Sequence, residues 1–449
     1  MSTSLKFINL AGKRFYKRPR NIISVLDSCV GSKLSLKGWA SNIRKQKKTS
    51  FINLVDGSTN KSLQIVVNSS DIDALTIGSF VEVKGTLEKS LKTISSNLQI
   101  NGLELKADSI IFDKKSQCCV SDSFSSSVVD FDRYRSEEGI LHRHQLSNFK
   151  SLFRFRSEIK LIIDRVFKSL CYLEVETPIL TSLDCEESDN TFNIQGIKNL
   201  KLTGSSQMHL EILCQGLGQV FTQNQTFRAE PSHTRFHLAE FRMIEAESIH
   251  LLTVEDLNNE IELIFKKIIS SFLSFCQENP EEMQDILRIS NLKKFEEWIE
   301  ELNEFSIKSY PRIKYCELDK YLGDKWDLSN GLSKEAELLL VEKINSPLFL
   351  THFPIHLKPA YCKIEGGETL SSDLLFPQIG EVVGGSVRVG PELEIASFPD
   401  WYSRIRRMNT YGGSGGFGIG FERILQLLFK LSNIRDSSPF PRVMNKFLF

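Results

Sequence analysis

The chain has 449 residues, enough for two or three domains and for a large core that needs neither disulfides nor metal ions. Basic and acidic side chains balance at 56 each, which excludes a uniformly basic nucleic-acid-binding surface and leaves only local basic patches. The nine cysteines show no ligand-like spacing, which argues against a zinc site and for reduced thiols. No apolar run approaches the about 18 residues that a membrane helix needs, so we expect a soluble protein with no membrane partner.

The amino-terminal segment 1–26 is basic. It carries six Lys or Arg residues and no acidic residue before Asp27, with serine and apolar residues between them. This composition is typical of a mitochondrial transit peptide, although a short basic tail that binds nucleic acid would look similar. We predict import into the mitochondrial matrix, with a cytoplasmic location as the alternative.

Residues 27–113 show short alternating or apolar runs that are separated by turn residues. This pattern predicts a small five-stranded barrel of the OB type, which would serve as a binding module. The predicted strands are 34–40, 51–55, 63–67, 80–87 and 103–111.

A polar, serine-rich stretch at 114–139 predicts a linker, and a second domain follows from 140 to 449. Apolar residues recur at helical spacing over 152–170, and an extended segment leads from there to Pro178. A second amphipathic helix is predicted from Val254 to Phe275, with Thr253 as its cap. We interpret the charged residues 278–345 as a helical insertion that covers the sheet of this domain.

The segment from Phe227 to Glu247 concentrates Arg, Glu and His side chains between two strand-like stretches. Two strands joined by a polar loop would place Arg228 and Glu230 on one rim and Phe241 on the return. A guanidinium binds phosphate through two donors and an aromatic face stacks on a purine. These residues therefore predict a nucleotide site.

Three motifs carry a resemblance to a known family. Phe227-Arg-Ala-Glu230, a loop and His237-Leu-Ala-Glu-Phe241 resemble motif 2 of class II aminoacyl-tRNA synthetases, in the version of the asparaginyl enzymes. Helix 152–170 with Glu176-Thr-Pro178 resembles motif 1, the dimer element, and Gly415-Gly-Phe-Gly-Ile-Gly-Phe-Glu-Arg423 resembles motif 3. The resemblance implies an α+β protein, an OB barrel followed by an antiparallel catalytic sheet flanked by helices. It also implies a homodimer.

The resemblance implies roles in binding ATP. Arg228 would hold the α-phosphate and Arg423 the γ-phosphate. Both arginines would be catalytic residues. Phe241 would stack on adenine, Glu230 would contact the nucleotide and His237 would lie near the triphosphate. Asp373 and Glu381 match the family's metal positions, which implies that both carboxylates bind Mg2+. The resemblance also places Glu381 among the ATP-binding residues.

The same family comparison points to L-asparagine as the amino acid. In aspartyl enzymes a lysine meets the substrate carboxylate, and Leu210 stands at that position in Ser205-Ser-Gln207-Met-His-Leu210. A carboxylate such as Glu245 would repel aspartate and accept from an amide.

Four further side chains complete the predicted amino-acid site. Arg388 would hold the amide oxygen, and Glu186 with Gln207 would hold the α-amino group, beside Ser205. Two departures concern this site, because Glu187-Ser188 replaces the usual Gly-Ala and Ser414 replaces the histidine that commonly precedes motif 3.

The barrel resembles the anticodon-binding domain of the aspartyl, asparaginyl and lysyl enzymes. Phe51 matches the aromatic that stacks on the central anticodon base of tRNA(Asn), and Arg44 and Gln64 match polar contacts. The alternative for Phe51 is a position in the barrel core.

Three other functions remain open at this point. An aspartyl or lysyl enzyme of the same group is one, and the leucine at position 210 weighs against it. An amidoligase that makes asparagine from aspartate is another, although such paralogues typically lack the barrel. A non-catalytic paralogue would normally lose the motif arginines, and Arg228 and Arg423 are both retained.

Overall fold

A computed structural model describes residues 21–90, 99–113, 132–182, 190–230, 234–290, 295–323, 328–390, 400–408 and 412–444. The described chain forms two compact units, one of residues up to 129 together with 145–150, and the other of the remaining residues. Most of the predicted transit peptide and linker lie outside the described residues. Among those that are described, no helix combines the length and apolar character required to cross a membrane.

The first unit is the predicted five-stranded barrel. It closes in the order β1-β2-β3-β5-β4, with β3 and β5 parallel and the other neighbours antiparallel. Alternate residues such as Ile52 and Leu54 are fully buried in its core, as the period of two requires. The strands are Lys33–Arg44 (β1), Thr49–Val55 (β2), Ser62–Asn68 (β3), Phe80–Lys89 (β4) and Gln99–Phe112 (β5).

The boundary predicted between transit peptide and barrel is wrong by several residues. Ile22 and Val25 have no exposed surface and belong to the barrel core. The Ile22 backbone N–H also donates to the Asp56 carboxylate at 2.6 Å. The barrel therefore begins no later than Ile22, and residues 22–26 are part of a folded domain.

The second unit is built on an eight-stranded sheet in the order β11-β12-β15-β16-β17-β10-β9-β6. Its central neighbours are antiparallel, whereas β11 and β6 pair in parallel at the two edges. The sheet strands are Leu173–Glu174 (β6), Gln219–Phe227 (β9), Glu240–Ser248 (β10), Arg312–Lys314 (β11), Leu348–Thr351 (β12), Ser371–Phe376 (β15), Gly380–Val387 (β16) and Gly415–Gly420 (β17). Two small hairpins add Leu180–Thr181 (β7) with Lys201–Leu202 (β8), and Ile364–Glu365 (β13) with Glu368–Thr369 (β14).

Helices flank this sheet, so the predicted fold class is confirmed. They are Glu137–Arg143 (α1), Ser147–Ser169 (α2), Gln207–Leu217 (α3), Val254–Glu278 (α4), Pro280–Ser290 (α5), Phe295–Ile307 (α6), Asp319–Leu322 (α7), Lys334–Ile344 (α8), Asp400–Arg406 (α9) and Phe421–Phe429 (α10). Helix α4 begins at the predicted cap, where Thr253 and Asp256 form a reciprocal capping box. Aromatic contacts join helices to the sheet, as where Phe167 of α2 stacks on Phe221 of β9 with ring centroids 4.6 Å apart.

The segment 278–345 is not purely helical. It contributes α5 to α8, but it also contains the edge strand β11, which pairs with β12. In addition, Glu337 of α8 accepts a hydrogen bond from the backbone N–H of Glu381 in β16 at 3.1 Å. The segment is therefore part of the catalytic sheet and of its support.

Candidate active site

A large cavity of about 730 Å3 lies against β10, β15, β16 and β17 in the second unit. It brings together the predicted nucleotide, metal and amino-acid residues that the structure describes. They are Ser205, Gln207, Arg228, Glu230, His237, Phe241, Glu245, Asp373, Glu381, Arg388 and Arg423. Glu186 and its neighbours Glu187-Ser188 lie outside the described residues.

The hairpin of β9 and β10 carries the predicted ATP residues on one rim. The backbone N–H of Arg228 donates to the Ala239 carbonyl at 3.0 Å, which continues the pairing of the two strands beyond Phe227. The Arg228 guanidinium lies 5.6 Å from the centroid of the Phe241 ring and 3.9 Å from Glu230. A guanidinium of the kind that can bind phosphate thus lies beside an aromatic ring of the kind that can stack on a purine.

His237 lies on the same rim. Its Nδ1 is 2.6 Å from the Thr234 hydroxyl, which orients the ring. Burial and, after it, the charge of Arg423 lower the pKa of His237 below its usual value. The imidazole is therefore neutral at pH 7. It can contact a phosphate through a hydrogen bond, while the arginines supply the positive charge.

Arg423 enters the cavity from the junction of β17 and α10. Gly420 is the N-terminal cap of α10, so Arg423 lies in the first turn of that helix. Its Nη1 donates to the Glu381 carbonyl at 2.7 Å and lies 3.9 Å from the Glu381 carboxylate. That bond uses one of the five donors of a guanidinium and fixes the orientation of the group for a phosphate.

Asp373 of β15 and Glu381 of β16 turn toward one point. A Cβ built on Gly384 would lie 3.4 Å from Glu381 Oε1 and 3.6 Å from Asp373 Oδ1, so one oxygen of each carboxyl group approaches the same position beside this glycine. Two carboxylates fit Mg2+, which takes its other ligands from water and substrate phosphates. Among the described residues there is no group of three or more His, Cys, Asp or Glu side chains that could hold a metal ion.

The two carboxyl groups differ in their electrostatics. Burial raises the pKa of Asp373 to about 6 despite the nearby Lys358 ammonium. Burial also opposes ionisation of Glu381, but Arg423 and other cations outweigh it and hold the pKa of Glu381 below its usual value. Glu381 is therefore the more strongly ionised of the two at neutral pH.

The amino-acid end of the cavity centres on a buried ion pair that sequence reasoning missed in part. Arg388 Nη2 donates to Glu247 Oε2 at 2.7 Å, and Ser414 donates to Glu247 Oε1 at 2.7 Å. Burial opposes the charge of Arg388, but Glu247 outweighs it and raises the pKa of Arg388 above its usual value. A Cβ on Gly416 would lie 1.8 Å from Glu247 Oε2, so this glycine of motif 3 makes room for the pair.

Glu245 lines the same cavity, and the segment that leads into α3 binds its carboxylate. It accepts hydrogen bonds from the Ser205 hydroxyl at 2.5 Å and from the Ser206 backbone N–H at 2.8 Å. Glu247, and not Glu245, pairs with Arg388. The two glutamates are two residues apart on β10 and share a face, and that period was the signal for Glu247.

Glu211 is a second residue that sequence reasoning missed. It accepts from Gln207 Nε2 at 2.9 Å and from the Tyr402 hydroxyl at 2.8 Å, it bonds to Arg406, and it lies 3.5 Å from Arg388. Gln207 and Glu211 are four residues apart on α3, which is the spacing of neighbours on a helix face. Glu211 therefore fixes the predicted α-amino contact and shares Arg388 with Glu247.

Leu210 lines the cavity and is 1% exposed. It packs in an apolar cluster with Cys214 and Val220. The position at which aspartyl enzymes carry a lysine is therefore apolar here.

The predicted anticodon residues lie on neighbouring strands of the barrel. Arg44 pairs with Phe51 across β1 and β2, and its guanidinium lies 4.6 Å from the centroid of the Phe51 ring. Phe51 points outward, since the buried residues of β2 are Ser50, Ile52 and Leu54, so the core alternative for Phe51 is wrong. Gln64 is 7% exposed and donates to Glu104 at 2.8 Å.

Comparison with known families decides the class. A family model described as "tRNA synthetases class II (D, K and N)" matches residues 133–444, and one described as "OB-fold nucleic acid binding domain" matches residues 34–112. The chain belongs to the class II tRNA synthetases. This class II synthetase is 33% identical to mouse asparaginyl-tRNA synthetase, over 95% of this chain and 93% of that protein.

Two further relatives agree with this assignment. The synthetase is 30% identical to the probable mitochondrial asparagine–tRNA ligase of Dictyostelium discoideum, over 96% of this chain and 98% of that protein. It is also similar to the structure of asparaginyl-tRNA synthetase from Entamoeba histolytica, with a TM-score of 0.76, 25% identity and coverage of 94% and 98% of the two chains. The OB-fold match lies within the first unit, and the synthetase match covers most of the second unit together with residues 145–150 of the first.

Proposed function

We propose that this synthetase is an asparagine–tRNA ligase, which activates L-asparagine with ATP and transfers it to tRNA(Asn). The observation that carries the proposal is the buried Arg388–Glu247 pair beside an apolar Leu210. A guanidinium donates to the side-chain amide oxygen of asparagine and a carboxylate accepts from its amide N–H groups. Aspartate would bring a negative charge against Glu247 and would find no lysine in compensation.

The first step joins the amino acid to the nucleotide. The asparagine carboxylate attacks the α-phosphorus of ATP, the bond from that phosphorus to the bridging oxygen breaks, and pyrophosphate leaves. Arg228 holds the α-phosphate and Arg423 the γ-phosphate, while Phe241 stacks on adenine. Such a step depends on positioning and charge neutralisation rather than on covalent help from the protein.

Other side chains orient the reactants. Glu230 contacts the nucleotide, and Gln207, which Glu211 holds, binds the α-amino group together with Ser205. Mg2+ bound by Asp373 and Glu381 would neutralise phosphate charge. In the second step a ribose hydroxyl at the 3′ end of the tRNA attacks the carbonyl carbon, and AMP leaves.

ATP–pyrophosphate exchange with purified protein tests the proposal. We expect exchange that depends on asparagine and is not supported by aspartate or lysine. Exchange with aspartate alone would assign the protein to the aspartyl enzymes. Formation of free asparagine from aspartate, ATP and ammonia would instead identify an amidoligase.

Phe51 provides a separate test of the anticodon site. Stacking of a base on an aromatic ring contributes about 1–3 kcal/mol, so Phe51→Ala should raise the KM for tRNA roughly 5- to 150-fold in aminoacylation. Exchange without tRNA should not change, because Phe51 lies in the barrel. Phe80→Ala removes another outward aromatic, 51% exposed, and serves as the matched control. An equal loss in both variants would contradict the role of Phe51.

We infer a homodimer from the motif 1 helix and its surroundings. Large apolar side chains are exposed on α2 and on the chain that follows it, namely Leu161, Leu173, Ile179 and Leu180. An apolar patch of this kind is typical of a protein interface. Light scattering should give twice the mass of one chain, and a fully active monomer would contradict the inference.

We propose a mitochondrial location from the basic amino terminus, and the Dictyostelium relative carries a mitochondrial name. Because the barrel core already includes Ile22, the targeting signal should reside in residues 1–20. Fusion of those residues to a fluorescent reporter should direct it to mitochondria. A diffuse cytosolic signal would favour the cytoplasmic alternative.

A further inference from the structure

Lys358 lies at the carboxylate pair without being one of the predicted site residues. Its Nζ donates to both oxygens of Asp373, each at 2.7 Å. On its other side the ammonium lies 3.9 Å from the centroid of the Phe353 ring. The side chains of Lys358 and Asp373 are 19% and 13% exposed, so this ion pair is largely shielded from solvent.

The position of the ammonium matters because of where the carboxylates point. Asp373 Oδ1, which accepts from Lys358, is also the oxygen that lies 3.6 Å from a Cβ built on Gly384, and Glu381 Oε1 lies 3.4 Å from the same position. Lys358 also contributes to the electrostatic environment of Glu381. One fixed positive charge therefore lies within hydrogen-bond distance of an Asp373 oxygen that would bind Mg2+.

Two carboxylates that share a site repel each other unless a cation lies nearby. Lys358 supplies such a cation at Asp373 in the free protein and donates to both of its oxygens, whereas Arg423 lies 3.9 Å from the Glu381 carboxylate. A divalent ion that approached the free pair would meet the repulsion of the ammonium and would have to break its hydrogen bonds. The triphosphate of ATP brings negative charge and additional oxygen ligands, which reverse this balance.

We propose that Lys358 is a resident counter-cation that holds Asp373 in place and prevents a divalent ion from binding before ATP. The inference rests on the proposed metal role of Asp373 and Glu381. It assigns to Lys358 the role of a positioning residue, which acts through Asp373. Metal and nucleotide would then enter the site together.

Binding of Mn2+ to the full-length protein, followed by electron paramagnetic resonance, tests the proposal. Mn2+ prefers the same oxygen ligands as Mg2+ and its free form gives a direct signal. Without ATP we expect weak binding by the unmodified protein and at least tenfold tighter binding by Lys358→Met. Lys358→Arg, which keeps the charge, and Lys363→Met, which removes an exposed lysine, should bind as weakly as the unmodified protein.

The outcomes separate this inference from the proposed function. Unchanged Mn2+ affinity in Lys358→Met without ATP would overturn the role of Lys358. Should that variant fail to fold, Lys358→Gln keeps a hydrogen bond to Asp373 without the charge, and the same tenfold gain is expected. If Asp373→Asn bound Mn2+ with ATP as tightly as the unmodified protein, the proposed metal site itself would be wrong.

Discussion

Replacement of Glu247 by glutamine should lower kcat/KM for asparagine roughly 30- to 5,000-fold in pyrophosphate exchange, since loss of one partner of a buried, hydrogen-bonded charge pair costs about 2–5 kcal/mol. Glu247 has no exposed surface and Arg388 is 5% exposed, so water cannot replace the lost charge. The arginine would keep its positive charge with one neutral partner. We therefore expect the ratio of kcat/KM for aspartate to that for asparagine to rise by about tenfold or more.

The same measurement on Glu296→Gln provides the control, because Glu296 is an exposed carboxylate on α6. Glu245→Gln is the informative comparison. Its carboxylate bonds to Ser205 and Ser206, so this change should weaken asparagine binding without the gain for aspartate. A larger shift toward aspartate in Glu245→Gln than in Glu247→Gln would return the specificity role to Glu245.

Replacement of Arg423 by alanine should lower the exchange rate about 1,000-fold or more, as expected for an arginine that stabilises phosphate charge in the transition state. Asparagine binding, measured by calorimetry, should not change, because Arg388 and Glu247 form a separate cluster. Arg423→Lys should recover only part of the rate, since lysine keeps the charge but lacks two parallel donors.

Arg404→Ala removes an exposed arginine from α9 and should retain full activity. Arg423→Ala also removes the hydrogen bond to the Glu381 carbonyl. This structural effect must be distinguished from the loss of the contact between Arg423 and ATP. Unfolding temperatures of the variant and of the unmodified protein, measured without ATP, provide that comparison. An unaltered exchange rate in Arg423→Ala would contradict the proposed role of Arg423 at the γ-phosphate.

The barrel and the long helices could be predicted because each has a local signal. The alternation of apolar and polar residues in β1 to β5 and the helix cap at Thr253 each depend on a few consecutive residues. The edge strand β11 could not be predicted in the same way. It has three residues and exists because β12, more than thirty residues further along the chain, offers it a partner in the sheet.

The residues predicted to bind ATP could be grouped from the sequence, because each motif keeps its residues close together along the chain. The pairing of Arg388 with Glu247 depends on the register of β10, β16 and β17, which only the folded sheet provides. Whether Glu245 or Glu247 pairs with Arg388 likewise depends on which carboxylate lies nearer to the guanidinium in the folded sheet. The contact between Lys358 and Asp373 could not be predicted for the same reason, because 15 residues separate them in the chain.

The contact between α8 and β16 has a consequence for the evolution and engineering of the protein. Segments inserted at the surface of an enzyme can usually be shortened. Here, however, Glu337 accepts a hydrogen bond from the backbone of Glu381 and another from Lys334. The Lys334 ammonium also lies 5.4 Å from the centroid of the Phe236 ring in the motif 2 loop. Deletion of α8 would leave β16 and the motif 2 loop without a common support. A minimal catalytic core of this synthetase must therefore retain that helix.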